Sequence, residues 1–307
     1  MYFFLLLLGL ILATLLIICL IVLYRDVYIK RLNRQSNLAQ TSLGPIEYRL
    51  AGDSGPVLLF IHGTPGGHDQ TQATADGYRV LTPSRPGYLR TPLSVGMTPF
   101  EQACALNELL EVLDIHKVVI MGVSGGGPAS MEFAANFPDK TLGLIALEAV
   151  SFSEDFRAVD SEIVDSSDVS LWFKLSLLTL LSNKILASQI LPNKNSRKKL
   201  LASPNNIKHL KKLIWSIWPL TVRSSGFEND YKQFRNISIP FERIRVPTLV
   251  IHGDEDISVD IKHGRHTNKL IAHSKMHLIS EGDHMMMSSH ADEIGEIIKD
   301  FIAQVEL

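Results

Sequence analysis

The stretch Gly122-Val123-Ser124-Gly125-Gly126 follows an apolar run at residues 117–121 and opens a helix-like segment at 128–137. A strand, a sharp turn built on small residues and a helix form a setting in which a serine becomes a nucleophile. On such a turn the serine backbone is strained and neighbouring side chains would collide with it, so glycines flank the position. The helix that follows aims its free amides and positive dipole end at the serine, where charge developing on a substrate oxygen is stabilised. The pentapeptide therefore reads as a nucleophile elbow with Ser124 at its tip. By itself a Gly-x-Ser-x-Gly match also fits an ordinary loop.

An elbow serine needs an acid and then a histidine further along the chain. Residues 246–252 read as a proline-started buried strand, and Gly253-Asp254-Glu255-Asp256 follows as a loop bearing three carboxylates. Residues 275–280 read as a second short strand, followed by the turn Glu281-Gly282-Asp283-His284. Strand ends are where open α/β sheets keep their chemistry. Asp254 and Asp256 compete for the role of acid, and if Asp254 fills it Asp256 could cap the helix expected over 258–270. His284 competes with His277, inside the strand pattern, and His290, inside the last helical pattern. His62 reads as a loop-stabilising side chain rather than a base.

With these pieces in place, the chain resembles a lid-bearing α/β-hydrolase from about Pro45 to its C-terminus, interrupted by an insertion. The likeness also rests on His62-Gly63-Thr64-Pro65-Gly66 after the strand at 57–61, and on Arg85-Pro86-Gly87-Tyr88 after the strand at 78–82. The resemblance implies a catalytic Ser124, Asp256 and His284, with Asp256 at the last position of His252-Gly253-x-x-Asp256. It further implies that His284 takes the Ser124 proton during attack on a carbonyl while Asp256 orients the imidazole. The backbone amides of Thr64 and Gly125 would then receive the oxyanion. Because Thr64 would act through its backbone, its side chain is expected to matter little. Two features depart from the family pattern. Ser84 stands before Arg85 where relatives usually carry an acid, so a local hydrogen bond or ion pair is expected to be missing. Residues 67–77 are short for the helix usually found there, and a single turn is expected.

The expected fold is α/β: a mostly parallel α/β-hydrolase sheet flanked by helices, with an inserted helical lid and an N-terminal transmembrane helix. Strands are expected at 46–50, 57–61, 79–82, 117–121, 142–148, 247–252 and 275–280, mostly as the continuous apolar runs of a doubly covered sheet. A helix over 98–113 has Thr98 and Pro99 as start signals. A closing helix over 291–305 places Ile294, Ile297, Ile298 and Phe301 on one face. Residues 45–150 and 240–307 then form the core and 151–239 the lid. Within the lid, 154–168 holds six acids and one arginine, whereas 184–212 holds eight Lys or Arg and no acid.

Residues 1–24 contain no charged side chain, and the apolar run is long enough to cross a hydrocarbon layer of roughly 30 Å. A cleaved signal would show a basic start, a shorter apolar core and a small-residue cleavage site, so a retained anchor is expected. Arg25, Lys30, Arg31 and Arg34 follow it, which favours a cytoplasmic catalytic domain. Residues 25–44 read as a polar tether. Cys19 and Cys104 are expected to be structural and unpaired, as suits that compartment.

A net charge of −2 gives no basis for nucleic-acid binding, and neither a cofactor nor a metal site is expected. These features suggest a membrane-anchored serine hydrolase acting on a small-molecule or lipid-like ester, its partner being the membrane. A proline-iminopeptidase-like aminopeptidase is the enzymatic alternative, suggested by the His62 to Gly67 loop. A non-catalytic membrane scaffold with the same fold is the alternative of another class. The apolar stretch 171–181 and the tryptophans of 213–220 leave two uses open. They either bury lid helices on the core or dock the lid on an anionic leaflet, with tryptophans at the headgroups.

Overall fold

The computed structural model describes residues 2–70, 77–156 and 166–305. Among these, the chain builds an eight-stranded sheet: β1 (Asn37–Thr41), β2 (Gly44–Ala51), β3 (Val57–Ile61), β4 (Arg79–Pro83), β5 (Val118–Val123), β6 (Thr141–Leu147), β7 (Thr248–Gly253) and β8 (Ser274–Ile279). The order is β1-β2-β4-β3-β5-β6-β7-β8. β1 pairs antiparallel with β2 and β2 with β4, while the strands from β4 to β8 run parallel. The chain passes from β3 to β4 on one side and returns to β5 on the other. The carboxyl ends of β3 and β5 therefore flank a topological switch point, where open α/β sheets form their ligand crevice.

Two layers of helices cover the sheet because alternate strand residues point to opposite faces. Leu59, Ile61, Val118 and Ile120 face α2 (Pro99–Val112) and α3 (Gly127–Asn136). Leu58, Phe60, Val119 and Met121 face the closing helix Ala291–Val305. On that helix Ile294, Ile298 and Ile302 are buried while Ile297 and Phe301 are only partly so, a small rotation from the expected stripe. Each fully buried isoleucine stabilises the layer by roughly 1.5–3 kcal/mol. The start of α2 is fixed reciprocally: Glu101 N donates to Thr98 Oγ1 (3.2 Å) and Thr98 N to Glu101 Oε2 (2.9 Å), a capping box.

The expected tether at 25–44 is not one. Helix α1 runs over Tyr2–Asn33, straight through the first charges, and Asn37–Thr41 is a strand. A helix already nucleated extends at little cost, and β1 needs to bury only Ala39 to pair along β2. α1 is long and apolar enough to cross a membrane.

Between β6 and β7, the described residues form α4 (Asp168–Leu180), α5 (Asn183–Ile190), α6 (Lys194–Ala202), α7 (Pro204–Trp215) and α8 (Ser224–Phe234). Most of the expected acidic stretch, at 157–165, lies outside the described residues. So does 71–76, the second half of the loop expected to be a single turn; its first half is a short turn at His68–Gln70.

Candidate active site

Ser124 follows β5 directly and has φ +51°, a left-handed conformation that costs energy for any residue with a side chain. The turn closes because a Cβ at Gly126 would overlap the carbonyl oxygens of Ile61 and His62. The glycine thus lets the elbow pack on the end of β3. Tight packing there brings the loop after β3 alongside the serine.

His284 stands on the turn after β8, with Nε2 3.1 Å from Ser124 Oγ and Nδ1 2.7 Å from Asp256 Oδ2. The other oxygen of Asp256 accepts from the amides of Ser258 and Val259, both at 2.9 Å. One buried carboxylate thus both holds the imidazole and caps its own loop, while the rival Asp254 is exposed. Burial works against an ionised Asp256, but the His284 charge and hydrogen bonds, with the Val259 amide, hold its carboxyl below the ordinary value. His277 is exposed on β8, and His290 lies at the junction before the closing helix rather than inside it.

Two further acids crowd this chain of groups. Glu148, at the end of β6, is 1% exposed, and its Oε1 has no hydrogen-bond partner among the described residues. Burial, opposed by His284 but reinforced by Asp256 and Asp283, pushes its carboxyl well above the usual range. Burial likewise raises Asp283 to about 6, against the hydrogen bond from the Met285 amide. Glu148, Asp256 and His284 bring potential ligand atoms within 4.8 Å of one another. Both His284 ring nitrogens already face Asp256 and Ser124, so a cation there would have to break that hydrogen-bonded chain.

Thr64 and Gly125, the two expected amide donors, line the same cavity as Ser124 and His284. The side chain of Thr64 is not idle, contrary to expectation. Thr64 Oγ1 donates to Asp230 Oδ2 (2.5 Å) on α8 and accepts from Arg85 Nη2 (3.0 Å). Arg85 and Asp230 form a buried two-pronged ion pair, with contacts of 2.8 and 2.5 Å, and Tyr88 donates to the same carboxylate. The ion pair expected to be missing beside Ser84 is therefore supplied by the insertion. Ser84 itself donates to Glu47 Oε2 at 3.0 Å. His62 accepts from the Arg85 amide through Nε2 and contacts Gly63 O through Nδ1. Burial and the adjacent Arg85 charge push its pKa well below the usual value, so it serves the loop as a neutral ring.

The cavity over Ser124 encloses about 370 Å³, within the range of small-molecule sites. Its roof comes from the insertion, with Leu175 and Leu178 of α4, Ile190 of α5, Leu213 and Ile214 of α7 and Phe234 of α8. Neither Arg nor Lys lines it among the described residues. An apolar cavity above a hydrogen-bonded serine and histidine can desolvate an acyl group at the hydroxyl.

Comparison with known proteins bears on the fold that carries this geometry. A family model described as alpha/beta hydrolase fold matches residues 56–291. A protein of Bacillus subtilis (strain 168) described as uncharacterized hydrolase YcgS is 27% identical, covering 84% of this chain and 95% of its own. A 2-hydroxy-6-oxononadienedioate/2-hydroxy-6-oxononatrienedioate hydrolase of Comamonas testosteroni is 24% identical, with 82% and 89% covered. Among solved structures, an alpha/beta hydrolase fold protein from Nakamurella multipartita superposes with a TM-score of 0.79 at 28% identity, covering 88% of this chain and 98% of that chain.

Proposed function

Because the chain belongs to the α/β-hydrolase fold family, we propose that it is a membrane-anchored serine hydrolase cleaving a carboxylic ester through an acyl-enzyme on Ser124. The observation that carries this reading is the hydrogen-bonded chain Ser124–His284–Asp256 on the floor of an apolar cavity. As Ser124 Oγ bonds to the ester carbonyl carbon, its proton passes to His284 Nε2 and the carbonyl π electrons move onto oxygen. The amides of Thr64 and Gly125 receive that oxyanion; losing one such donor typically costs about 10²–10³ in rate. Collapse breaks the bond to the alkoxy group, which leaves with the proton from His284. Water, activated by the same imidazole, then releases the acid. Asp256 stays ionised and orients the ring throughout.

The lining favours an apolar acyl group. The Comamonas testosteroni relative is named for substrates bearing two carboxylates, and such anions call for cationic partners that the described lining lacks. An aminopeptidase needs an ionised acid to receive the substrate amine, whereas burial of Glu148, the carboxylate at the cavity wall beside His284, favours its neutral form. A purely scaffolding role leaves the ordered histidine and its buried carboxylate without purpose. The lid at 151–239 sets substrate choice, and α1 holds the domain at the membrane, with Arg25, Lys30, Arg31 and Arg34 on the cytoplasmic side.

The test is fluorophosphonate labelling of the full chain, together with a chain-length series of acyl esters and a proline arylamide. Labelling that disappears in Ser124→Ala, with turnover rising toward longer acyl chains, is the expected result. A folded wild-type protein that never reacts with the probe overturns the enzymatic reading, and turnover of the arylamide alone overturns the ester.

A further inference from the structure

Helix α4 carries apolar side chains on two opposite faces. Leu171 and Leu175 point inward and are nearly fully buried, and Leu175 and Leu178 line the cavity. Phe173, Leu177 and Leu180, on the opposite face, are 47%, 66% and 83% exposed. A surface helix ordinarily leaves the face opposite its buried stripe polar. This one has thirteen residues, about 20 Å of helix, too short to span a bilayer. Ile185, on the next helix, extends the exposed apolar surface.

The position of α4 relative to α1 says what covers that face. Nearly every side chain of α1 stands clear of the globular body until Ile21, the first one buried. From there the two are clamped together. Tyr24 stacks on Trp218 with ring centroids 5.8 Å apart, Tyr28 packs on the same ring at 5.0 Å, and Arg25 approaches Asp168, the first residue of α4, at 3.7 Å. Trp218 is fully buried and donates to Asp168 O at 3.0 Å. The tryptophan expected at the headgroups is therefore the clamp instead. The apolar segment of α1 ends within about one turn of this clamp, so a bilayer holding that segment has its surface level with the start of α4. Exposed Lys174 and Lys184 flank the stripe, a charge pattern suited to an anionic leaflet.

We propose that the exposed face of α4, Phe173, Leu177 and Leu180, docks on the lipid surface beside α1, leaving one helix thickness between the bilayer and the cavity over Ser124. The inference deepens the membrane-anchored reading and rests on it. It specifies the surface through which an acyl chain reaches the site.

The test uses the full chain in a Cys19→Ser, Cys104→Ser background, with Leu177→Cys, Leu180→Cys or, as control, Asp114→Cys on an exposed loop. Each is labelled with an environment-sensitive fluorophore and reconstituted in phosphatidylcholine–phosphatidylglycerol vesicles with or without nitroxide lipids. Labels at 177 and 180 are expected to shift to the blue and lose at least half their emission to the nitroxide, while that at 114 does neither. Labels at 177 and 180 as water-exposed as the control overturn the proposal. A blue shift without nitroxide quenching also overturns it, since the face is then covered by protein such as a second copy of the chain. A second arm compares Leu177→Glu/Leu180→Glu with wild type. Hydrolysis of a long-chain ester in the same vesicles is expected to fall at least tenfold, with fluorophosphonate labelling in detergent unchanged. Unchanged vesicle hydrolysis refutes the entry route. A wild type that ignores the probe refutes the hydrolase reading alone, because the fluorescence arm does not depend on turnover.

Discussion

Asp230→Asn tests how the insertion holds the loop after β3. In the wild type this carboxylate receives two guanidinium contacts from Arg85 and the hydroxyls of Thr64 and Tyr88. Both members of the ion pair are almost inaccessible, with side chains 2% and 3% exposed. The amide is nearly isosteric but removes the charge and presents a donor where four donor groups already converge. Removing one partner of a buried pair costs about 3–5 kcal/mol, because the remaining charge has no compensation. At about 2–4 °C per kcal/mol for a domain of this size, the melting temperature should fall on the order of 10 °C. Thermal melts followed by circular dichroism read that shift, and Arg85→Met in the Asp230→Asn background separates its causes. If the stranded charge dominates, the double variant is more stable than the single one. Recovery is only partial, since Arg85 also donates to the His62 carbonyl, at a cost of roughly 1–3 kcal/mol when that group is left unpaired. A shift below about 2 °C, or a double variant weakened by the sum of the two singles, refutes the reasoning.

Asp256→Asn should leave the fold intact while lowering kcat by about 10⁴, because the amide favours the wrong imidazole tautomer; a loss under tenfold would show that Asp256 is not the acid that orients His284. Asp283→Asn should alter stability in a pH-dependent way. Its carboxyl stands at about 6 against an ordinary 3.8, so the folded state holds the proton more tightly, and stability falls as pH rises through that window. The asparagine variant escapes that penalty while still accepting from the Met285 amide. Its melting temperature should gain on wild type as pH rises through this window and stay level above it, whereas a constant gap would show that Asp283 does not titrate there.

Much of the site is local in the chain and therefore legible. Ser124 is announced by its glycines, Asp256 follows the continuous apolar run of β7, and His284 stands on the turn after the more polar β8. Features set by distant packing are not announced in this way. β1 buries a single residue along an edge, so its polar sequence resembles a tether. Glu148 and Asp283 are buried only because β6 and the loop after β8 converge on the histidine. The partner of Arg85 is 145 residues away. One signal for it did exist: Asp230 falls on the helical stripe of Phe227, Tyr231 and Phe234, an acid at a core position that demands a buried cation.

The insertion carries more of the mechanism than a cover would. Asp230 on α8 grips Thr64 and Arg85, and Arg223, just before α8, pairs with Asp69 and donates to Gly66 O in the same loop region. Trp218 grips α1, and α4 forms both roof and outer face. These contacts join the apolar helix α1 to the loop bearing Thr64 through one continuous packed unit. An insertion that swung away as a rigid flap would have to break a buried ion pair and uncover Trp218. Substrate access is therefore easier through small movements of α4 and its neighbours, between the α1 clamp and the α8 contacts, than through opening of the whole insertion. That division places the fixed half of the insertion over the proposed oxyanion site and the adaptable half on the proposed membrane-facing side, which suits the proposed uptake of an apolar acyl chain from one side.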